Sequence, residues 1–149
     1  MMTVYTAPLA DYNFLFHEVF DVVEVCKRLG YENMDREMLD MMTEEWSQFV
    51  IDVWKPSNID GDKFGSQLKN GEVSSPPGFK EAWRQTVESG WLQAVCKEEH
   101  GGMELPLFFR NAMDEPAISC NMAISVVAAL SLGVYDIISG HASQENIDL

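Results

Sequence analysis

Apolar side chains recur at helical spacing along most of this sequence, and nowhere do they alternate convincingly with polar ones. In the first such segment the spacings alternate between four and three residues, and charged side chains occupy the positions between them. This pattern places one apolar stripe along an amphipathic helix from Asp11 to Leu29. Asp11 is a suitable N-cap, and Gly30 is a suitable left-handed stop. The stripe consists of Leu15, Val19, Val22, Cys26 and Leu29.

Turn-forming residues divide the next part of the chain. A second helix is predicted to start at the cap Asp35 and to end at Pro56, because proline lacks an amide hydrogen and clashes with the preceding turn. Proline, glycine and asparagine are frequent from Lys55 to Gly78, so this region is predicted to be a long ordered loop. Within it, Asn70-Gly71 would fit the turn of a short hairpin over Gln67 to Val73, but no sheet is expected.

The second half of the chain is predicted to be helical again. A short helix begins near Pro77 and ends before Gly90, and two apolar segments follow, Leu107 to Met113 and Glu115 to Leu132. Pro116 must begin a new helix or bend the old one. Because no strand is convincing, the predicted fold class is all-α, a helical bundle with a long ordered loop.

The charge balance and the cysteines limit the classes of partner and compartment. The chain of 149 residues carries 24 acidic and 10 basic residues, a formal net charge of −14, which would repel nucleic acid and anionic lipid. Three cysteines outside any CxxC spacing indicate a reduced, intracellular protein, and no secretory signal is present, so a cytoplasmic location is expected. The most apolar stretch, Met122 to Tyr135, is shorter than the ~20 residues that span a bilayer and is predicted to be a buried helix.

Local motifs predict no catalytic, cofactor-binding or metal-binding residue. The three histidines, His17, His100 and His141, lack metal-ligand spacing and are predicted to be surface or capping residues. The segment from Asn58 to Asp62 resembles part of a calcium loop but has no glutamate at the twelfth position. No glycine-rich phosphate loop is present. Small residues in the last long helix, Ala123, Ala128 and Ala129, suit either close helix packing or the wall of an apolar ligand pocket, and the residues alone leave both open.

A series of motifs, in order and at near-family spacing, resembles the N-terminal helical domain of the acyl-CoA dehydrogenases. The opening Tyr5-Thr6-Ala7-Pro8 with Phe14-Leu15-Phe16 looks like the extra helix of a long-chain subgroup that includes the 3-methylmercaptopropionyl-CoA dehydrogenases. The motifs are Gly61-Asp62-x-x-Gly65, Asn70-Gly71-Glu72-Val73, Pro76-Pro77-Gly78-Phe79-Lys80-Glu81-Ala82, Gly90-Trp91, Gly101-Gly102-Met103-Glu104-Leu105-Pro106, Asp114-Glu115, Ser131-Leu132-Gly133 and Gly140-His141-Ala142-Ser143-Gln144-Glu145. Pro116 and Leu130 depart from the family pattern.

The resemblance implies a role in an oxidoreductase of fatty acid metabolism. Members of this family desaturate an acyl-CoA thioester between its α and β carbons, with a glutamate as base and FAD as hydride acceptor. The resemblance implies that a middle β-domain and a C-terminal four-helix domain hold the flavin and that the glutamate is C-terminal, and these domains are not in this sequence. It also implies that Ala128, Ala129 and Leu132 contribute to the wall of the acyl-chain pocket. Residues 1–33 would form the extension helix and residues 34–149 the helical domain.

Two functions follow as alternatives. The chain is either the N-terminal domain of such a dehydrogenase, inactive and without FAD when alone, or a stand-alone helical interaction subunit that pairs with a separate flavin-bearing subunit. A helical bundle that keeps the fold without the chemistry is a third reading. The stripe of Met34, Met38, Met41 and Met42 suits a homo-oligomer contact as well as core packing. Neither nucleic acid nor a membrane is an expected partner.

Overall fold

The structure, a computed structural model, describes residues 5–147, and it is 71% helical. The predicted all-α fold class is therefore confirmed, with a short hairpin added. Strands β1 (Gln67–Lys69) and β2 (Glu72–Ser74) are antiparallel, with Leu68 opposite Val73. Along the chain the α-helices are α1 (Leu9–Asn13), α2 (Val22–Arg28), α3 (Arg36–Phe49), α4 (Lys55–Phe64), α5 (Phe79–Glu88), α6 (Leu107–His141) and α7 (Gln144–Ile147).

The N-terminal region differs from the single helix that its periodicity predicts. A π-helical turn, Phe14–Val19, follows α1, and the chain then breaks at Asp21, which has a left-handed backbone with φ of 45°. The wider π turn shifts the buried face. Tyr12 and Phe16 are buried in place of Leu15 and Val19, whereas Val22 and Cys26 are buried as predicted. Asp11 lies inside α1 and is not its N-cap. Leu29, which was predicted to belong to the apolar stripe, is 63% exposed.

The second predicted helix starts where expected but does not end at Pro56. The Asp35 carboxylate accepts the backbone amide of Met38 at 2.8 Å, as an N-cap does. The helix continues through a π-helical turn, Val50–Trp54, directly into α4. Pro56 lies in the first turn of α4, where its missing amide hydrogen is tolerated. The π turn thus supplies the local break that the proline needs.

The predicted long loop is much shorter in the structure. Its first ten residues form α4, which includes the segment from Asn58 to Asp62 that resembles a calcium loop. The Phe79 ring packs closely against Gly61, because a Cβ atom there would lie 2.7 Å from the tip of the ring and the ring would have to shift. The hairpin forms with Asn70-Gly71 as its turn, contrary to the expectation of no sheet, and its strands are solvent-exposed.

The two C-terminal segments lie in α6, which consists of two helical halves joined by a kink, and that kink is not at Pro116. Pro116 is buried inside the helix, whereas the non-helical backbone angles occur at Asn121, with φ of −159° and ψ of 94°. The Asn121 side-chain oxygen accepts the Ile124 amide at 3.2 Å, which is the pattern of an N-cap. The buried Asn121 side chain therefore acts as the N-cap of a second helical segment over residues 122–141.

Helix α6 also differs from what was predicted for the apolar stretch from Met122 to Tyr135. An 18-residue window within it has a mean hydropathy of 1.9, and the helix is long and apolar enough to cross a membrane. Only a third of that window is buried, so the prediction of a buried helix is also wrong. Length and composition are weak grounds for a membrane span, because core helices of soluble proteins meet the same criterion.

Packing around Gly102 provides a stability prediction. A Cβ atom at this glycine would lie 2.0 Å from the Cys96 carbonyl oxygen, which belongs to the backbone and cannot move away alone. We expect Gly102→Ala to lower the free energy of unfolding by at least ~2 kcal/mol, measured by urea denaturation.

The matched control is Gly133→Ala, at a helical glycine where, apart from its neighbours in the same helix, no described atom lies within 4 Å of the added carbon. Alanine is the better helix former, so this variant is expected to gain about 0.5–1 kcal/mol. Equal effects of the two substitutions would contradict the packing at Gly102.

Candidate functional site

A small cavity lies between the inward face of α6 and a group of tryptophans. Its volume is about 40 Å³, and its lining is mostly apolar. One side comes from Trp46 in α3, Trp54 at the end of the second π turn, and Trp91 in a 3-10 turn over Trp91–Gln93. The remaining lining residues are Leu92, Val95, Arg110, Met113, Asp114, Ala117, Ser125, Ala128, Ala129 and Leu132.

Hydrogen bonds fix two of the three tryptophans. The Trp46 indole N–H donates to the Met113 carbonyl at 2.7 Å, and the Trp54 indole N–H donates to the Thr86 hydroxyl at 2.8 Å. The ring centroids of Trp46 and Trp54 are 5.5 Å apart, edge to face, and Trp91 lies at the same distance from Trp46. Because a buried indole needs a partner for its N–H group, these bonds hold the aromatic side of the cavity in one arrangement.

The opposite side is a stripe of small side chains on α6. Ser125, Ala128, Ala129 and Leu132 are spaced by three, one and three residues, which places all four on one face of the helix. The three predicted acyl-wall residues, Ala128, Ala129 and Leu132, therefore line one and the same cavity. Their role in holding an acyl chain stays a prediction.

Asn121 sets the position of this stripe. Its side-chain amide donates to the Ser57 hydroxyl at 3.1 Å and to the Trp54 carbonyl at 3.4 Å, and the residue is completely buried. The Ser57 hydroxyl in turn donates to the Trp54 carbonyl at 2.8 Å. The cap of the second half of α6 is thus tied to the segment that carries one of the cavity tryptophans.

Two charged residues reach the cavity from the first half of α6. The Arg110 guanidinium contacts the Asp136 carboxylate at 3.2 Å, so the two halves of α6 lie beside each other across the kink at Asn121. Burial raises the pKa of the Asp114 carboxyl, and the nearby Arg110 charge opposes that rise without cancelling it. Asp114 therefore carries an electrostatic cost when ionised.

Sequence reasoning found three lining residues and missed the tryptophans, Asp114 and Ser125. The three tryptophans are 45 residues apart at the extremes, so no local pattern links them. Ser125 could have been predicted as a lining residue, because it lies on the same helical face as Ala128 and Leu132. Asp114 was noted only as part of a family motif.

The histidines lie away from this cavity. The His17 Nε2 atom is 2.6 Å from the Asp40 carboxylate, and its side chain is 3% exposed, so the predicted surface position is wrong for His17. The His100 Nδ1 atom is 2.9 Å from the Tyr135 hydroxyl. Within residues 5–147, no group of three or more histidine, cysteine or acidic side chains could hold a metal ion.

The described residues do not fit FAD. The cavity is far too small for a dinucleotide, and the larger clefts, of 420 to 480 Å³, are open. One of them is lined by Glu32, Glu98 and Glu104, which would repel a diphosphate, and another is lined mainly by apolar side chains such as Phe20 and Phe108. We therefore assign no cofactor contact to this part of the chain.

The raised pKa of Asp114 predicts a pH-dependent stability. Because the folded state binds this proton more tightly than the unfolded chain, stability falls as pH rises through the pKa of the folded protein. We expect Asp114→Asn to be more stable than the wild type at pH 7 and to lose that advantage below about pH 4, where the carboxyl is neutral in both states. Thermal unfolding across pH measures this.

Removing a negative charge from a chain of net charge −14 could stabilise it at any position. The exposed Asp62→Asn variant controls for that general effect. The same gain in both variants would contradict the attribution to burial of Asp114.

Comparison with known proteins supplies the remaining observation. No family model matches the sequence. The chain is similar to the 3-methylmercaptopropionyl-CoA dehydrogenase of Ruegeria pomeroyi, with 30% identity over 135 residues. The match covers 91% of this chain and only 23% of that enzyme, so the chain spans less than a quarter of its relative. The resemblance to the acyl-CoA dehydrogenase family that the sequence motifs predict is therefore confirmed.

Proposed function

We propose that this chain is the N-terminal helical part of an FAD-dependent acyl-CoA dehydrogenase and contributes one wall of the acyl-chain pocket. The observation that carries the proposal is the cavity itself. It brings Ala128, Ala129 and Leu132, which the family resemblance selects, together against a rigid aromatic surface. A concave, largely apolar site with few polar groups is the usual form of a binding site for an apolar ligand.

In the proposed enzyme, FAD and the catalytic glutamate are supplied by the middle and C-terminal domains, and the chain alone is inactive. FAD accepts the hydride when bound there. The residues of this chain exclude water from the acyl chain and position it. Residues 1–33 form an extension and residues 34–149 the helical domain in this proposal, although residues 1–4 and 148–149 lie outside the described structure. A cytoplasmic location remains part of the proposal.

The relative suggests the substrate to test first. Its name identifies it as acting on 3-methylmercaptopropionyl-CoA, a short acyl thioester. A cavity of 40 Å³ has room for roughly three water-sized groups, given about 10–15 Å³ for each. That space suits the end of a short acyl group.

Filling the cavity tests the proposal directly. Ala129 lines it while keeping an exposed side, so Ala129→Phe can occupy the space without overpacking the core. We expect the purified chain to bind short acyl thioesters at millimolar concentration, to show no turnover with FAD and an electron acceptor, and to bind at least about tenfold more weakly in the variant. Shifts of the indole N–H signals in NMR spectra measure the binding.

Two controls accompany this experiment. Ala123→Phe places the same side chain at an exposed position of α6 outside the cavity and should leave binding unchanged. The Trp83 indole signal, from outside the cavity, should not shift. Stoichiometric FAD retention with turnover by the chain alone, or unchanged binding in Ala129→Phe, would overturn the proposal.

A second candidate function is a helical interaction subunit that pairs with a separate flavin-bearing subunit. The observation that favours it is the outer face of α6, which is apolar and has no neighbour among the described residues. On this face Leu130 is 66% and Ile137 is 65% exposed. The other exposed apolar residues of α6 include Ile118, Met122, Val126, Val127, Val134 and Ile138. A patch of this kind marks an interaction surface more often than it marks free solvent contact.

Charges placed on the outer face of α6 test this second function. We expect the tagged wild-type chain to co-purify from its own cells with a protein that has flavin absorbance, and the double variant Leu130→Glu with Ile137→Glu to lose it. Val73→Glu, on the exposed hairpin, is the control for added charge. Retention of the flavoprotein by the double variant, or recovery of the chain in the membrane fraction instead, would contradict the subunit role.

A further inference from the structure

An apolar groove lies between the N-terminal arm, which we define as residues 5–28, and the first half of α6. Its volume is about 450 Å³, within the range of ligand-binding clefts. Tyr12 and Asn111 bring polar groups to its lining, and the other lining residues are apolar. The groove shares no lining residue with the tryptophan cavity, so an occupant of the groove would be independent of the acyl pocket.

The floor of the groove is held in place by contacts between the arm and α6. Tyr12 and Phe16 are both buried, and their rings stack at a centroid distance of 6.1 Å. The Tyr12 hydroxyl donates to the Glu115 carboxylate at 2.8 Å. The Phe16 ring meets the Phe108 ring of α6 edge to face, also at 6.1 Å. The groove is therefore formed before anything binds, so that binding has little of the protein to order.

Large apolar side chains continue the groove onto the surface of the arm. Leu15 and Phe20 both line the groove, yet both are exposed, Phe20 by 61%. Phe14 and Val19, which directly precede them in the chain, are exposed as well. An exposed apolar patch that borders an apolar groove is typical of a docking surface.

The edge of the groove is acidic. Asp11 directly precedes Tyr12, and Asp21 directly follows Phe20, so each of these acidic residues adjoins a lining residue. Glu115 lies on the α6 side, where its carboxylate accepts the Tyr12 hydroxyl. All three acidic residues are exposed. A charged partner that approaches the groove therefore meets negative groups from the arm and from α6.

Basic side chains do not offset these charges. Residues 5–26 contain four acidic residues and no lysine or arginine. Lys27 and Arg28 follow at the end of α2, where the Arg28 guanidinium lies 3.7 Å from the Glu24 carboxylate. On the α6 side, Arg110 lines the tryptophan cavity. The groove is thus complementary to an occupant that has an apolar face with basic edges.

The shape and charge of the groove favour one occupant over the others. Apolar grooves of this kind bind amphipathic helices, whose anchors recur at i, i+3 or i+4, and i+7. A second copy of this chain would bring the same acidic edge and a net charge of −14, so it would be repelled. An anionic lipid surface would be repelled for the same reason, and a neutral small molecule would leave the acidic edge unused.

We propose that the groove is a docking site for an amphipathic helix of a partner protein, with lysine or arginine side chains flanking its apolar face. The apolar face of that helix contacts the groove lining, including Phe20, and its basic side chains face Asp11, Asp21 and Glu115. The inference goes beyond the proposed function, because the docking site lies outside the acyl pocket and requires no substrate.

Three synthetic peptides of about 18 residues, or five helical turns, test the docking site on the purified 149-residue chain. The first has leucines at the helical anchor spacing and lysines on its polar face, and the second replaces every lysine by glutamate. The third has the composition of the first with its leucines scrambled, so it keeps the charge and loses the apolar face. Fluorescence anisotropy of the labelled peptides measures each dissociation constant.

We expect the amphipathic lysine peptide to bind at least about tenfold more tightly than either of the other two, and more weakly as salt is raised. Phe20→Ser should weaken its binding about fivefold or more, because the variant removes an exposed apolar contact in the groove. The matched control Phe64→Ser removes an exposed phenylalanine of α4 outside the groove and should change binding less than about twofold. Equal effects of the two substitutions would contradict docking in the groove.

A pair of double variants tests the acidic edge. Asp11→Asn with Asp21→Asn should weaken binding of the lysine peptide about threefold or more, because two exposed charge contacts are lost. Asp62→Asn with Glu72→Gln removes the same charge from exposed positions outside the groove and should change binding less than about twofold. Equal effects of the two double variants would mean that only net charge matters, and would overturn the proposal.

The remaining outcomes separate other occupants from the docking helix. Equal binding of the lysine and scrambled peptides, or of the lysine and glutamate peptides, would show that the groove does not select a basic amphipathic helix. Displacement of the peptide by phosphatidylcholine vesicles would assign the groove to lipid, and a dimer that Phe20→Ser abolishes would assign it to a second copy. Failure of acyl thioesters to bind would overturn the proposed function alone, because it concerns the tryptophan cavity.

Discussion

The buried side chain of Asn121 is the interaction on which the rest of the arrangement depends. It caps the second half of α6 and bonds to Ser57 and to the Trp54 carbonyl, so one amide joins two helices and the edge of the cavity. A buried polar group of this kind is stabilising only when all its bonds are made, which fixes the relative position of its partners. The small-residue stripe of α6 and the tryptophans face each other because of this connection.

The backbone departs from regular α-helical geometry at several further points, and each departure allows particular side chains to pack. The π turn over Val50–Trp54 lets the chain pass into Pro56 without a clash and leaves Trp54 directed to the Thr86 hydroxyl. The left-handed Asp21 allows α2 to turn back so that Cys26 is completely buried. Such irregularities persist where the surrounding contacts determine them more strongly than local preference does.

The sequence predicted what depends on local chemistry. The Asp35 cap, the turn at Asn70-Gly71 and the helix that ends before Gly90 follow from side-chain hydrogen bonding and from glycine's freedom at positive φ. It did not predict the helix across Pro56 or the break at Asn121, because both depend on tertiary contacts that are distant in sequence. The wall residues Ala128, Ala129 and Leu132 came from the family resemblance, whereas their aromatic partners required the fold.

The two faces of α6 together explain why a helix of this composition occurs in an acidic protein. Its inner face carries small residues against the tryptophans, and its outer face carries large apolar residues that no described part of the chain covers. Because both faces are apolar, α6 has a high mean hydropathy, and by length and composition it could cross a membrane. A helix that is apolar on all sides is generally covered on all sides. The net charge of −14 disfavours an anionic lipid surface as that cover, since it would repel the head groups. The proposed function supplies a cover that agrees with both the apolar face and the charge, namely further polypeptide of the same enzyme or of a flavin-bearing partner.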